Sequence, residues 1–383
     1  MLADLINALD AALEHCTNDC LNEVIQKMVE VGKLIGSESP LPKELLLGQQ
    51  ESLVCMLDKM NRLLEMEAEC KAPCALCAIE FIARIAKFVP ESVELLREHM
   101  ETSFATLLAW NDSRVSEHAC WLLLTIIDHN LLKRWSENLP EKNDLWNNFL
   151  TLLQSGNSQA ELLLQKMFTF PGSVAVLFSA IDDFDIQSTL ASHLCNAVRL
   201  KQLHNSNLCP LVSYLSKMVS RLNDNCEDES FLRTLRRLVK AFCIATSDDK
   251  SPYFSIRSNA SLLTAVVDIL RQIDEFAKNG IDIYKRKRDF DGKPNGQNEN
   301  PASGLKQCCI RLIANLTCDH HGNCVLARKL GVLPIVLEST RFDCCNLFMT
   351  QWAVFALRNM MKEDTGCREY VSSMKPSAPM KLD

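Results

Sequence analysis

The sequence has little of what tight turns and strands require. Its 383 residues include only 12 Gly and 13 Pro, and aromatic residues make up 7%. A fold of many short strands needs more of all three, because Gly and Pro form the turns while aromatic side chains favour strands. Leu-rich segments run through the whole chain instead. The composition therefore favours helices throughout.

Long apolar runs and a secretion signal are also missing. The most apolar stretches, such as residues 119–127, have about half of the roughly 18 to 20 residues that span a bilayer. The first residues, MLADLINALD, lack the basic and apolar regions of a signal peptide. We therefore expect no membrane insertion and a cytoplasmic location, where the 18 cysteines stay reduced and pack as small hydrophobic side chains.

A surplus of basic residues is absent. The formal net charge is −7, with residues 304–383 at +3 and residues 1–303 at −10. Because binding to phosphate groups needs excess Lys and Arg, nucleic acid is not expected as the main partner.

Signatures of catalysis are absent as well. No GxxxxGK[ST], GxGxxG, HExxH or GxSxG string occurs, and the few glycines leave little material for phosphate-binding loops. We predict a protein that is not an enzyme and that needs no cofactor.

Self-similarity is the strongest positive signal. The run FIARIA at 81–86 returns as LLLTII at 122–127, a shift of 41 residues, and RLIANL at 311–316 returns as FALRNM at 355–360, a shift of 44. Both shifts fall within the roughly 40 to 47 residues typical of armadillo and HEAT repeats. Between the second pair, a short helix, Gly331 as a stop and a second short helix complete a three-helix unit.

These patterns predict an all-α fold, an armadillo/HEAT-like α-solenoid of stacked two- and three-helix repeats. Residues 281–303 are polar and rich in Asn, Gly and Pro, so they are predicted to form a disordered insertion loop. They separate a helical repeat region at 1–280 from a repeat pair at 304–371, which a tail at 372–383 follows. The repeat register within 1–280 stays open, since 28 residues separate the helices that begin near Leu162 and Leu190.

The C-terminal pair carries a recognisable pattern. GLK and RLIANL are followed by Asn323, GVLPIVL and NLFMTQWAVFALRN. This pattern resembles the C-terminal domain of the ataxin-ten family. The resemblance implies an armadillo-like cytoplasmic scaffold, perinuclear or at the midbody, that self-associates through this pair and binds other proteins. It also implies roles in neuronal survival, neurite growth, cytokinesis and signalling.

Asn315 and Asn359 lie at equivalent places in successive repeats, with Arg358 beside the second. An Asn ladder of this kind can hydrogen-bond the backbone of an extended peptide ligand. Ile85 and Ile126 stand at the corresponding places upstream, so the ladder is predicted to break there. The break disfavours a continuous peptide-binding groove, so an importin-like or catenin-like adaptor for cargo peptides is kept only as the alternative hypothesis. For the two Asn side chains, the alternative to ligand binding is hydrogen bonding between helices.

Trp352 lies on the final long predicted helix, between Phe348 and Phe355. Core packing is the ordinary role of such a residue, but Trp is also enriched at interfaces. If the C-terminal pair mediates self-association, these three aromatic residues are the candidates.

The remaining candidates have both a functional and a purely structural interpretation. Lys285, Arg286, Lys287 and Arg288 have the density of a nuclear localisation signal, or else form a solvated basic loop. Two Cys and His groups have spacings reminiscent of zinc ligands, although neither offers two well-spaced pairs and no metal is expected. They are Cys70, Cys74 and Cys77, and Cys318, His320, His321 and Cys324.

Overall fold

The computed structural model describes residues 2–15, 17–35, 50–65, 72–100, 103–137, 143–179, 181–284, 301–341 and 348–374. Within these ranges the regular structure is α-helix with four short 3-10 turns, and no strand occurs. None of the helices described is both long and apolar enough to cross a membrane.

The α-helices, numbered in chain order, have the following bounds. They are α1 (Leu2–His15), α2 (Asn18–Ile35), α3 (Gln50–Glu65), α4 (Ala72–Phe88), α5 (Val93–Met100), α6 (Ser103–Leu108), α7 (Ser113–Ile126), α8 (His129–Glu137), α9 (Asn143–Gln154), α10 (Ser158–Phe168), α11 (Ser173–Ser179), α12 (Phe184–Arg199), α13 (Leu208–Ser220), α14 (Glu229–Ala245), α15 (Ala260–Lys278), α16 (Pro301–Thr317), α17 (His321–Lys329), α18 (Leu333–Glu338), α19 (Met349–Glu363) and α20 (Thr365–Ser373).

Helix ends follow the local sequence. Asp112, Asn157, Asp183 and Asp228 accept hydrogen bonds from backbone N–H groups in the first turns of α7, α10, α12 and α14. Such caps satisfy donors that a helix leaves free. Gly331 has a φ of 67° directly after α17, a left-handed conformation that Gly adopts at little cost, so it ends the helix as predicted.

The chain forms two compact units, Met1–Val176 and Leu177–Asp383. In the first unit, α2, α4, α7 and α10 pack side by side, and in the second α12, α14, α16 and α19 do the same. We call these eight the stacking helices. The 28-residue interval that left the repeat register open spans the boundary between the units.

The predicted repeats correspond to this stacking. The two members of the first repeated string lie in α4 and α7, and those of the second lie in α16 and α19. Each stacking helix buries apolar residues at helical spacing, and α17 and α18 complete the predicted three-helix unit before α19. The all-α, armadillo-like prediction is confirmed.

A buried Asn side chain joins two elements of the second unit. Asn323, at the start of α17, is 3% exposed, and its side-chain amide donates to the carbonyl oxygens of Arg257 and Leu316, each at 2.7 Å. Asn323 therefore ties the 3-10 turn Phe254–Ser258 to the end of α16.

Many cysteines are core residues, as their apolar surroundings predict. Cys74, Cys120, Cys195 and Cys243 are buried, and burial raises the pKa of Cys120 to about 12 and that of Cys195 to about 11. These two thiols stay protonated at neutral pH and behave as small hydrophobic side chains.

Candidate protein-interaction surface

The last stacking helix presents an apolar strip to solvent. Phe348, Val354 and Phe355 are 60%, 52% and 49% exposed. The opposite side of α19 is buried, and that side packs against α16. Both α14 and α16 pack against a stacking helix on each side, whereas α19 has only α16 within the described residues. The strip therefore lies on an end face of the second unit.

Trp352 lies at the edge of this strip and is half-buried. The guanidinium of Arg311, on α16, lies 5.0 Å from the centre of the Trp352 ring, a cation–π distance. The Phe355 ring centre is 5.9 Å from that of Trp352. Trp352 thus packs against its own unit while joining the exposed aromatic residues into one surface. We call Phe348, Trp352, Val354 and Phe355 the end-face patch.

Asn315 and Asn359 are used inside the second unit. The Asn315 amide donates to the Cys243 carbonyl at 3.1 Å and to the Thr246 hydroxyl at 3.0 Å. The Asn359 amide donates to the Ala314 carbonyl at 2.9 Å. Each bond links one stacking helix to the one before it, which is the structural role named for these residues.

The upstream positions of the ladder cannot contact a ligand. Ile85 and Ile126 are fully buried. Arg358, next to Asn359, is exposed. Of the polar residues singled out in the repeat pair, only Arg358 projects freely from the same side of α19 as the end-face patch.

The basic cluster Lys285–Arg288 lies outside the described residues. Directly before it, Asp282–Tyr284 form a 3-10 turn, and the buried Tyr284 hydroxyl donates to the Cys226 carbonyl at 2.6 Å. Helix α16 then begins at Pro301, three residues before the predicted start of the repeat pair.

The two described cysteines of the first group have separate structural environments. Cys70 lies outside the described residues, Cys74 is buried, and the Cys77 thiol donates to the Ile25 carbonyl at 3.8 Å. Burial raises the pKa of Cys77, so its metal-binding thiolate form is disfavoured.

The second group is divided among different partners. His320 accepts the backbone N–H of Asn323 and caps α17, while His321 Nδ1 lies 2.6 Å from the Glu363 carbonyl. Cys324 is buried. In the part of the chain that the structure describes, no three His, Cys, Asp or Glu side chains are grouped so that they could hold a metal ion.

A second surface lies in the first unit and was not anticipated from the sequence. A cleft of about 470 Å³ follows α4, α7 and the start of α10. Its lining residues are Glu80, Arg84, Glu117, His118, Trp121 and Gln159. In the sequence, Trp121 stands between Cys120 and Leu122 in an apolar run, yet it is 41% exposed. The signal that could have found it is the spacing from Glu117, since residues four apart share a helix face.

Comparison with known proteins agrees with the resemblance that the C-terminal repeat pair shows to the ataxin-ten family. Residues 305–382 match the family model described as the spinocerebellar ataxia type 10 protein domain. Ataxin-10 from Bos taurus is 23% identical over 319 residues, which cover 78% of this chain and 65% of that protein. Ataxin-10 from Homo sapiens is 22% identical over 328 residues, covering 82% and 68%. The chain thus spans about two thirds of the length of these relatives.

A more distant relative matches a shorter stretch at higher identity. The ataxin-10 homolog of Dictyostelium discoideum is 34% identical over 77 residues, 20% of this chain and 13% of that protein. Among solved structures, an engineered protein covers 96% of this chain and 91% of its own at a TM-score of 0.37 and 13% identity. A designed armadillo repeat protein covers 79% and 99% at a TM-score of 0.29 and 13% identity. Because these TM-scores are low, the assignment of the fold rests on the helices and their stacking.

Stacked helices with an exposed end face and an open cleft define an armadillo-like protein-interaction scaffold. The C-terminal domain and the relatives narrow this class further. Residues 305–382 belong to the domain family described as the spinocerebellar ataxia type 10 protein domain, and most of the chain is similar to ataxin-10.

Proposed function

We propose that this protein is a non-enzymatic scaffold that self-associates through the end-face patch of α19 and binds further proteins along its helical units. The observation that carries the proposal is the exposure of three large apolar side chains within the eight residues from Phe348, the N-cap of α19, to Phe355. Arg358 lies beside them and would contribute a polar contact at the rim.

The physical reason is the cost of leaving this surface in water. Full burial of a Val or Phe side chain is favourable by roughly 1.5 to 3 kcal/mol. Two copies meeting through the same patch would form a two-fold symmetric contact, in which each patch covers the other. Stacking α19 on α19 would continue the packing that the helices make inside the second unit.

The test is the molar mass of the full chain by light scattering, with the double variant Phe348→Ser/Phe355→Ser. Both side chains are exposed, so the variant keeps its fold, and we expect its mass to fall to the monomer value of 43.2 kDa.

Two controls accompany this variant. Leu200→Ser removes an apolar side chain that is 59% exposed elsewhere in the second unit. Asn359→Ala removes an amide from α19 that is bonded inward. Both should retain the oligomeric mass. A wild-type chain that is monomeric at tens of micromolar, or a double variant that stays oligomeric, would refute self-association through this patch.

Similarity to ataxin-10 supports a proposal about the cellular role of this protein. We propose a cytoplasmic location, perinuclear or at the midbody, and roles in neuronal survival, neurite growth, cytokinesis and signalling. A fluorescent fusion of the full chain should stay cytoplasmic, and replacing Lys285–Arg288 by Gln should not change its distribution. Nuclear accumulation that depends on these four residues would assign them as a localisation signal instead.

A further inference from the structure

The cleft of the first unit has the composition of a recognition site. Helix α4 contributes Glu80 and Arg84, α7 contributes Glu117, His118 and Trp121, and α10 contributes Gln159. Because these helices pack side by side, the cleft runs across them. An elongated ligand could therefore contact three helices at once.

Trp121 is the aromatic residue of this cleft, and it is 41% exposed. Two other accessible aromatic rings make cation–π contacts within the protein. The guanidinium of Arg311 lies 5.0 Å from the Trp352 ring centre, and that of Arg257 lies 4.7 Å from the Phe254 ring centre. Within the ranges that the structure covers, no Lys or Arg lies over Trp121. Its face is therefore free to receive a cation from another molecule.

Carboxylates flank the same ring. Glu117 is on the same helix face as Trp121, one turn earlier, and Glu80 projects from the neighbouring α4. His118 approaches Glu80 at 4.0 Å through Nε2. Its Nδ1 lies 2.7 Å from the Arg114 carbonyl, which can only accept, so Nδ1 carries a proton and donates to that carbonyl.

The remaining two polar groups suit a peptide backbone. Arg84 packs its aliphatic stem beside Gly32, where an added Cβ would lie 3.4 Å from the Arg84 Cδ atom. This packing steadies the side chain, while its guanidinium makes no ion pair with the residues described. The Gln159 amide has both a donor and an acceptor. Arg84 and Gln159 can therefore hydrogen-bond carbonyl and N–H groups of an extended chain.

The charge of the whole unit favours a basic ligand. Residues 1–176 contain 14 Lys and Arg against 25 Asp and Glu, a net charge of −11, whereas residues 177–383 have a net charge of +4. A strongly acidic unit attracts cationic segments and raises their rate of encounter.

We propose that this cleft binds an extended Lys- or Arg-rich peptide segment of a partner protein. One basic side chain of the segment lies over Trp121 between Glu117 and Glu80, and Arg84 and Gln159 bond the segment's backbone. This surface is separate from the end-face patch, so the two binding activities can fail independently.

The test is fluorescence polarisation with the full chain and an eight-residue labelled peptide in which Lys and Arg alternate with Ala. We expect binding that weakens with added salt, and none by the same peptide with Glu in place of Lys and Arg. Trp121→Ala and the double variant Glu80→Gln/Glu117→Gln should each weaken binding by at least about tenfold.

The matched control is Glu23→Gln/Glu98→Gln, which removes the same charge from exposed positions of the first unit outside the cleft. It should bind within about twofold of wild type, since distant charges act mainly on the encounter rate. Circular dichroism checks that every variant is folded.

Three outcomes would overturn the proposal. In the first, Trp121→Ala and Glu80→Gln/Glu117→Gln bind like wild type. In the second, the control weakens binding as much as the cleft variants do, which would show attraction to the acidic unit without a site. In the third, a peptide copying residues 281–292 binds more tightly than the Lys/Arg/Ala probe, and the cleft would then be assigned to a segment of this chain.

Discussion

Replacing Trp135 by Ala is expected to lower the free energy of unfolding of the first unit by about 3 to 5 kcal/mol, the range for truncating a large aromatic residue in a core. Trp135, on α8, is fully buried, and its ring meets that of Trp146 edge-on, with centroids 6.0 Å apart and planes at 88°. Such pairs add to the energy of burial.

The loss arises from the cavity rather than from a broken hydrogen bond. The indole N–H of Trp135 has no acceptor among the described residues. Removing the ring therefore leaves no partner unpaired, and the cost comes from lost contacts and from space that the helices around it cannot refill.

Urea unfolding monitored by Trp fluorescence measures this effect, because four of the five Trp residues lie in residues 1–176. Trp121→Ala is the control in the same unit. Since Trp121 is exposed, its replacement should change the unfolding free energy by less than about 0.5 kcal/mol. Equal losses for the two variants would contradict the assignment of one Trp to the core and the other to a surface.

Asn323→Ala is expected to destabilise the second unit by roughly 2 to 3 kcal/mol. The side-chain amide of Asn323 donates to two buried carbonyl groups, those of Arg257 and Leu316. Alanine leaves both acceptors without a partner, and an unpaired buried polar group costs about 1 to 3 kcal/mol.

Hydrogen exchange detected by mass spectrometry locates this effect. Amides of the turn Phe254–Ser258 and of the last residues of α16 should exchange faster in Asn323→Ala, because the side chain that joins them is gone. Asn196→Ala, at an exposed position of α12, should leave those amides unchanged. Wild-type exchange in Asn323→Ala would assign this residue of the family pattern to partner binding rather than to folding.

Local sequence predicted much of the helical framework. Apolar residues at helical spacing and repeated strings 41 and 44 residues apart correspond to stacking helices α4, α7, α16 and α19. Gly331 marks a helix end where it was expected. Such signals depend on the chain's own backbone and on neighbouring residues, so they can be read without knowing the tertiary structure.

The role of each aromatic residue could not be read in the same way. Trp121 and Trp135 both stand in apolar helical segments, but one lines a cleft and the other fills the core. Likewise, Asn315 and Asn359 have the spacing of a ligand-binding ladder, while their amides bond to the preceding helix. Spacing identifies the face of a helix, but not the element that covers this face.

The sequence by itself therefore determined the class of fold and the absence of recognisable catalytic motifs, because composition, periodicity and motifs are properties of the chain alone. Only the tertiary structure decided which surfaces are free. The last stacking helix has a stacking neighbour on one side within the described residues, so Phe348 and Phe355 are exposed. In the first unit, α4, α7 and α10 lie side by side, and packing between residues far apart in the sequence brings Glu80 to the cleft that Glu117 and Trp121 also line.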